Sequence, residues 1–228
     1  MADQPVVFVA EDDQSVRDFL RDLFKSVNLP VRTFESGQDL LEQFDPAWTG
    51  VIVTDLRMPG VSGLEMQSRL RARNCTLPVI YLTAYGEVEV AVRALKMGAV
   101  DFLQKPARGQ ELLDSVQRAL ELESKQRQQR LERQRTADRL ADLNEGERAV
   151  LDLIVEGHPY KSIASKLNLS YKTVEARRAR IMKKLGAESQ SELYKTMIRY
   201  SLSGADAPNG PDPGSTLGTN LSTKPLPN

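Results

Sequence analysis

Val6-Val7-Phe8-Val9-Ala10-Glu11-Asp12-Asp13 is the stretch whose reading decides the fold. Five apolar residues run without polar alternation straight into three acids. An unbroken apolar run of this length, rich in β-branched and aromatic residues, reads as a strand buried on both faces. Val51-Ile52-Val53-Thr54 runs in the same way into Asp55, and Val79-Ile80-Tyr81-Leu82 into Thr83. Val31-Arg32-Thr33-Phe34 and Val100-Asp101-Phe102-Leu103 are weaker strands, the second leading to Lys105-Pro106. The segments between carry apolar residues at helical spacing, as in Val16, Leu20, Leu23, Phe24 and Val27, or Leu64, Met66 and Leu70. Strands alternating with helices of this length build right-handed βαβ units and a doubly wound parallel sheet.

Ligands of such sheets bind outside the carboxyl ends of the strands. Asp12, Asp55, Thr83 and Lys105 all fall within a few residues of such an end. Any one of them has an ordinary explanation. An acidic run caps a helix N-terminus and favours its dipole, and a single lysine is a surface residue. Their joint recurrence points to a site for a divalent cation and a phosphoryl group. Mg²⁺ takes oxygen ligands, keeps several waters and uses one or two carboxylates beside a phosphate. Asp12 and Asp55 are the direct carboxylates, Glu11 reaches the ion through water, and the backbone carbonyl of Arg57 is a third ligand. Asp55, central among the strand ends, is the nucleophile; a carboxylate attacking a phosphoryl group gives an acyl phosphate. Such a transfer needs positioning and charge neutralisation, supplied by Mg²⁺ and the Lys105 ammonium, while the Thr83 hydroxyl donates to a phosphoryl oxygen.

The order acidic pair, Asp, Thr-Ala, Lys-Pro resembles the receiver domain of bacterial two-component response regulators. Asp55-Leu56-Arg57-Met58-Pro59-Gly60 with Gly63 is similar to that family's phosphoacceptor segment. The resemblance spans residues 5 to about 122. It implies a flavodoxin-like five-stranded fold, phosphorylation of Asp55 by a sensor histidine kinase, and a requirement for Mg²⁺. It assigns Thr83 and Phe102 to a conformational switch and Lys105 to sensing the phosphate. Glu11 stands where Asp is commoner. Phe102 lacks a tyrosine hydroxyl, so any switching there rests on packing.

The 228 residues suit two domains. Lys and Arg balance Asp and Glu at 31 each, but unevenly along the chain. Residues 1–107 hold 11 basic against 15 acidic, and residues 145–201 hold 11 against 7. An acidic half joined to a basic half suits cation binding in one and nucleic-acid binding in the other. Cys75 is the single cysteine, which excludes an internal disulfide and points to a reducing compartment. No apolar run spans a membrane and no signal pattern opens the sequence, so a cytoplasmic location without membrane partners is expected. The expected domains are 1–122, a helical linker 123–142, a helical domain 143–202 and a disordered tail 203–228 rich in Gly, Pro, Ser, Asn and Thr. The linker continues a helix from about Gly109 whose apolar seam is Leu112, Leu113, Val116 and Leu120. Its second half, polar on every side, suits either a solvated connector or partial disorder. Only Leu113 and Leu120 keep heptad spacing for a coiled coil.

The helical domain has a break at Gly157-His158-Pro159, a short helix with Ile163, Ala164 and Leu167, and a tight turn at Asn168-Leu169-Ser170. A second helix follows from Tyr171 to Leu185, capped by Ser170 and ended by Gly186. Two helices so joined, the second strongly basic, form a helix-turn-helix. On a helical wheel Val174, Ile181, Met182 and Leu185 share the buried side. The opposite side carries Lys172, Thr173, Ala176, Ala179, Arg180 and Lys183, flanked by Arg177 and Lys184. Small alanines let a helix approach base edges, and basic residues supply phosphate contacts. Leu143 to Gly186 resembles the LuxR/FixJ-type DNA-binding domain, in Glu147, Gly157, Lys161-Ser162-Ile163-Ala164, Ser170, Thr173-Val174-Glu175 and Lys184-Leu185-Gly186. The resemblance adds Lys161, Ser170 and Glu175 to the DNA-binding set. It also implies a four-helix domain whose last helix, Gln190 to Ser201, dimerises through Leu193, Met197 and Ile198. Arg177 stands where many members have His, and Glu147 is expected to pair with Arg178.

The function expected is a phosphorylation-dependent transcriptional regulator rather than an enzyme. Its partners would be a sensor histidine kinase, promoter DNA, RNA polymerase and a second copy of the chain, with activation the commoner mode in the resembled family. His158 is the single histidine and lies in a loop, so the phosphoryl donor is another molecule. The alternatives are a DNA-binding protein whose receiver serves only dimerisation, and a phosphotransferase or phosphohydrolase on a related fold.

Overall fold

The structure is a computed structural model that describes residues 4–84 and 88–205. It divides into two compact units between Gln128 and Gln129. The first contains β1 (Val6–Ala10), β2 (Val31–Phe34), β3 (Gly50–Thr54), β4 (Val79–Thr83) and β5 (Asp101–Gln104). All pair in parallel, in the order β2-β1-β3-β4-β5. The helices are α1 (Gln14–Ser26), α2 (Gly37–Gln43), α3 (Gly63–Ala72), α4 (Val88–Lys96) and the first part of α5 (Gly109–Ala141). The expected strands are present, with the ends of β3, β4 and β5 displaced by one residue.

The absence of polar alternation has a plain cause. Phe8, Ala10, Ile52 and Tyr81 face one apolar cluster, completed by Leu40 of α2 and Met66 and Leu70 of α3. Their neighbours Val7, Val9, Val51, Val53, Ile80 and Leu82 face a second, completed by Leu20 and Phe24 of α1 and Leu112 and Val116 of α5. Burying each such side chain stabilises the sheet by roughly 1.5–3 kcal/mol before entropy is subtracted. The central strands therefore carry apolar residues without alternation up to the threonines that end β3 and β4. The polar groups of Tyr81 and Gln67 are buried there with hydrogen bonds: the Tyr81 hydroxyl donates to Gln67 Oε1 at 2.8 Å, and Gln67 Nε2 donates to the Met97 carbonyl at 3.3 Å.

Gly63 lets α3 begin against the segment that follows β3. A Cβ there would lie 2.3 Å from the Asp55 carbonyl oxygen, and the Gly63 amide donates to the Leu56 carbonyl at 2.9 Å. The loop after Asp55 is thus folded back tightly over the strand end.

Helix α5 is continuous over 33 residues, so the polar half expected as either connector or partly disordered is helical. The heptad pair is spent elsewhere: Leu120 is buried in the second sheet cluster and Leu113 packs against it. The end of α5 contributes Leu140 to the core of the second unit.

That unit comprises α6 (Glu145–Val155), α7 (Tyr160–Lys166), α8 (Tyr171–Leu185) and α9 (Gln190–Ala205) around Val150, Leu151, Ile154, Ile163, Val174, Ile181 and Leu193. Asn144 and Glu147 form a reciprocal capping box at the start of α6. Ser170 caps α8 by accepting from the Thr173 amide at 3.0 Å, and Gly186 ends it at φ +68°. Helix α9 runs to Ala205, three residues into the expected tail; the remainder of that tail, 206–228, lies outside the described residues. Among the described residues no helix is long and apolar enough to cross a membrane.

Candidate functional site

Parallel pairing with this register puts the ends of β1, β3, β4 and β5 side by side. The Asp55 amide donates to the Ala10 carbonyl at 3.0 Å, and the Lys105 amide to the Thr83 carbonyl at 2.8 Å. Residues far apart in sequence are thereby held together. The Lys105 Nζ donates to Glu11 Oε2 and to Asp55 Oδ2, each at 2.7 Å. Oxygens of Glu11, Asp12 and Asp55 lie within 4.8 Å of one another. Glu11, Asp55 and Thr83 are buried, whereas Asp12 is exposed. Asp55 Oδ1 accepts from the Arg57 amide at 3.1 Å, which fixes both the carboxylate and the chain leading to the Arg57 carbonyl. Asp13, third of the opening acids, is the N-cap of α1 and accepts from the Val16 amide at 3.0 Å. It has the capping role that such runs often serve.

Burial raises the Glu11 carboxyl above its ordinary range, and the Lys105 hydrogen bond opposes this without cancelling it. For Lys105 burial acts downward, yet the hydrogen bonds to Asp55 and Glu11 outweigh it and raise the ammonium's pKa. Lys105 is therefore an ammonium held between the Glu11 and Asp55 side chains. Three converging oxygens, two of them buried, match what a hard divalent cation takes, and the ammonium beside Asp55 can neutralise an anion attached there. A cavity of about 380 Å³ beside Lys105 is walled by Val16, Phe19, Leu82, Pro106 and Leu112, so the charged cluster borders an apolar recess. Phe102 is half-buried, its ring 6.3 Å from that of Tyr81. The start of α4 adjoins residues 85–87, which lie outside the described residues.

Arg17 lies in none of the motifs that mark the site in the sequence. Its side chain is buried on the inner face of α1 with Leu20 and Phe24, and one nitrogen donates to the Glu11 and Asp12 carbonyls, each at 2.7 Å. Spacing was the available signal, because positions 17, 20 and 24 share one helical face.

In the second unit the structure buries Val174, Ile181, Met182 and Leu185 of α8. Lys172, Glu175, Ala176, Ala179, Arg180 and Lys183 are exposed, as is Lys161 on α7. Other residues of the expected DNA-facing set have partners inside the domain. Lys184 Nζ donates to Glu147 Oε2 at 2.7 Å and to the Asp142 carbonyl at 2.9 Å. Arg177 donates to the Gly146 carbonyl at 3.1 Å. The Ser170 hydroxyl caps α8 and lies 2.8 Å from that of Thr173. The expected Glu147–Arg178 pair is corrected: Lys184 is the partner of Glu147, and the Arg178 guanidinium lies 5.6 Å over the Tyr160 ring. The residues expected at a dimer surface differ in exposure. Leu193 is fully buried in the domain's own core and Met197 packs against that core, while Ile198 and Leu202 are exposed by 56% and 67%.

Residues 7–117 match the family model of the response regulator receiver domain, and residues 141–197 that of bacterial regulatory proteins of the luxR family. The chain is similar to the transcriptional regulatory protein TdiR of Thauera aromatica, 45% identical over 210 residues that make up 92% of each chain. It is similar to the transcriptional regulatory protein FixJ of Azorhizobium caulinodans, 39% identical over 88% of this chain and 95% of that one. Among solved structures, response regulator StyR matches with a TM-score of 0.80 at 38% identity, covering 87% of this chain and all 100% of that one.

The Glu147–Lys184 pair has a measurable consequence. The Lys184 hydrogen bond holds the Glu147 carboxyl below the ordinary carboxylate range. A carboxylate whose folded pKa is depressed contributes stability above its unfolded pKa and loses it as pH falls through the folded value. Thermal melts from about pH 6 to about pH 3 should show the helical unit weakening as pH drops through and below the ordinary carboxylate range. In Glu147→Gln that component should be missing. Equal slopes in the two proteins would contradict the assignment.

Proposed function

The chain belongs to the two-component response regulators of the FixJ type, a receiver domain followed by a LuxR-type DNA-binding domain, and on that basis we propose that it is a transcriptional regulator switched by phosphorylation at Asp55. One observation carries the reading: Lys105 Nζ lies 2.7 Å from both Glu11 and Asp55 at the carboxyl edge of the sheet. We read 1–122 as the receiver, 123–142 as the linker and 143–202 as the effector.

An Asp55 oxygen attacks the phosphorus of a phosphohistidine on a partner kinase. A P–O bond forms, the P–N bond breaks, and the electron pair returns to the imidazole, which takes up a proton. Glu11, Asp12, Asp55 and the Arg57 carbonyl are the groups that would hold Mg²⁺, which when bound neutralises charge on the phosphoryl oxygens. Lys105 neutralises charge on the same group, so it exchanges a carboxylate contact for a phosphoryl one as Asp55 is modified. The buried Thr83 hydroxyl is the donor placed to follow that change, and Phe102 repacks with it. Such a group biases an equilibrium between two preexisting states.

The output is duplex DNA binding by α8, with Lys172, Arg180 and Lys183 on phosphates and Glu175, Ala176 and Ala179 facing base edges. Exposed Ile198 and Leu202 on α9 are the surface through which two copies pair.

Two experiments test this. Acetyl phosphate with Mg²⁺ should label the unaltered chain and leave Asp55→Asn unlabelled; equal labelling of both would refute the assignment. In duplex binding across a salt series, Lys172→Met and Lys183→Met should each lower the slope of log K against log salt by about 1. Lys184→Met should leave the slope unchanged and lower thermal stability instead, since its ammonium is engaged by Glu147. A loss of slope in Lys184→Met equal to that in Lys183→Met would contradict that division.

A further inference from the structure

We propose that Arg17 is the positioning residue that fixes the cation-binding loop, bracing the backbone from which Glu11 and Asp12 project. The chain leaves the sheet after Ala10, the last residue of β1. The Glu11 amide still donates to the Phe34 carbonyl at 3.2 Å, but the carbonyls of residues 11 and 12 lie beyond the ladder and need other donors. Arg17 supplies both: its Nη1 donates to the Glu11 carbonyl and to the Asp12 carbonyl, each at 2.7 Å. A single planar guanidinium with a fixed donor geometry thereby holds two successive peptide units, and with them the directions of the two carboxylates.

The environment of Arg17 supports a bracing role. Its side chain is 9% exposed, on the buried face of α1, where an apolar residue would be the ordinary occupant. Burying a guanidinium is costly unless its donors are satisfied. The remaining interaction, with Glu35 Oε1 at 3.6 Å, is to a side chain 84% exposed, and a solvated pair of that kind contributes little. The two loop carbonyls are therefore what the buried guanidinium is matched to. Asp13 and Arg17 divide the work. Asp13 caps the helix that carries Arg17, and Arg17 reaches back to the loop that precedes the helix.

Electrostatics and positioning predict opposite signs, so the proposal can be tested cleanly. Arg17 is a positive charge beside a cation site. If it acted only through its charge, removing it would tighten Mg²⁺ binding. If it holds the ligands in place, removing it weakens binding, and outer-shell groups of this kind typically account for about 10–100-fold in metal affinity.

The inference rests on the cation reading proposed above, and isothermal titration of the full chain with Mg²⁺ separates the two. Binding by the unaltered chain and loss in Asp12→Asn would support that reading. No binding by the unaltered chain would overturn it, and the role of Arg17 with it. Given binding, Arg17→Met should raise the Mg²⁺ dissociation constant by about 10-fold or more. Glu35→Gln, which removes only the exposed partner, should leave it unchanged. Arg17→Lys keeps the charge without the planar fork and should weaken binding too, and it decides the matter if Arg17→Met fails to fold. Unchanged or tighter binding in a folded Arg17 variant would overturn the proposal.

Discussion

A half-buried ammonium held between two buried carboxylates is the constraint around which the first unit is arranged. Lys105, Glu11 and Asp55 come from β5, β1 and β3, and each sits just beyond the end of its strand. Left alone, any of these charges would be costly at its depth. Together they are satisfied, but only if the strands stop in register. The order β2-β1-β3-β4-β5 and its pairing provide that register, with Val6 to Ala10 opposite Gly50 to Thr54, and Thr83 opposite Gln104. Gly63 presses the start of α3 onto the Asp55 carbonyl, and Arg17 ties down the carbonyls of the acidic loop. The apolar sheet faces are what make this tight edge affordable. Three carboxylates face one ammonium there, so the edge keeps the negative charge that a divalent cation would offset.

The helical unit follows a related logic, with charge sorted by position. Helix α8 has basic residues on much of its circumference, yet they do not all face solvent freely. Lys184 and Arg177 lash α8 to the start of α6 through Glu147, the Asp142 carbonyl and the Gly146 carbonyl. Arg139 adds a bond from the end of α5 to the Leu185 carbonyl at 2.9 Å, closing the last turn of α8 beside Gly186. Orphan carbonyls at a helix end attract such cations. What remains outward is a narrower face, with Lys172, Arg180 and Lys183 bordering Glu175, Ala176 and Ala179. The contacts that tie α8 to its own domain and the charges it presents outward thus belong to different basic residues of the same helix.

The features legible in the sequence were those written in local pattern. Unbroken apolar runs gave β1, β3 and β4, because burial on both faces removes alternation, while the edge strands β2 and β5 were weaker signals. The four inward residues of α8, Val174, Ile181, Met182 and Leu185, followed from the 3.6-residue period. The acids, Lys105 and Thr83 were legible through their shared distance from strand ends. What escaped depends on which surfaces meet in space. A wheel cannot tell whether Glu147 faces Arg178 or Lys184, since that is decided by the crossing of α6 over α8. Leu193 looked like an interface residue, yet α9 turns it into the core and leaves Ile198 and Leu202 outside. Arg17 alone had a local signal, a cation at the spacing of the buried face of α1 with Leu20 and Phe24.

The central claim is that charge at Asp55 is converted into assembly and DNA binding. Sedimentation velocity of the full chain with labelled duplex DNA, with and without Mg²⁺ and beryllium fluoride as a stable phosphoryl mimic, tests it most directly. With the mimic the unaltered chain should shift in mass from monomer to dimer and bind the duplex more strongly, and Asp55→Asn should show neither change. Identical mass and affinity with and without the mimic would contradict it.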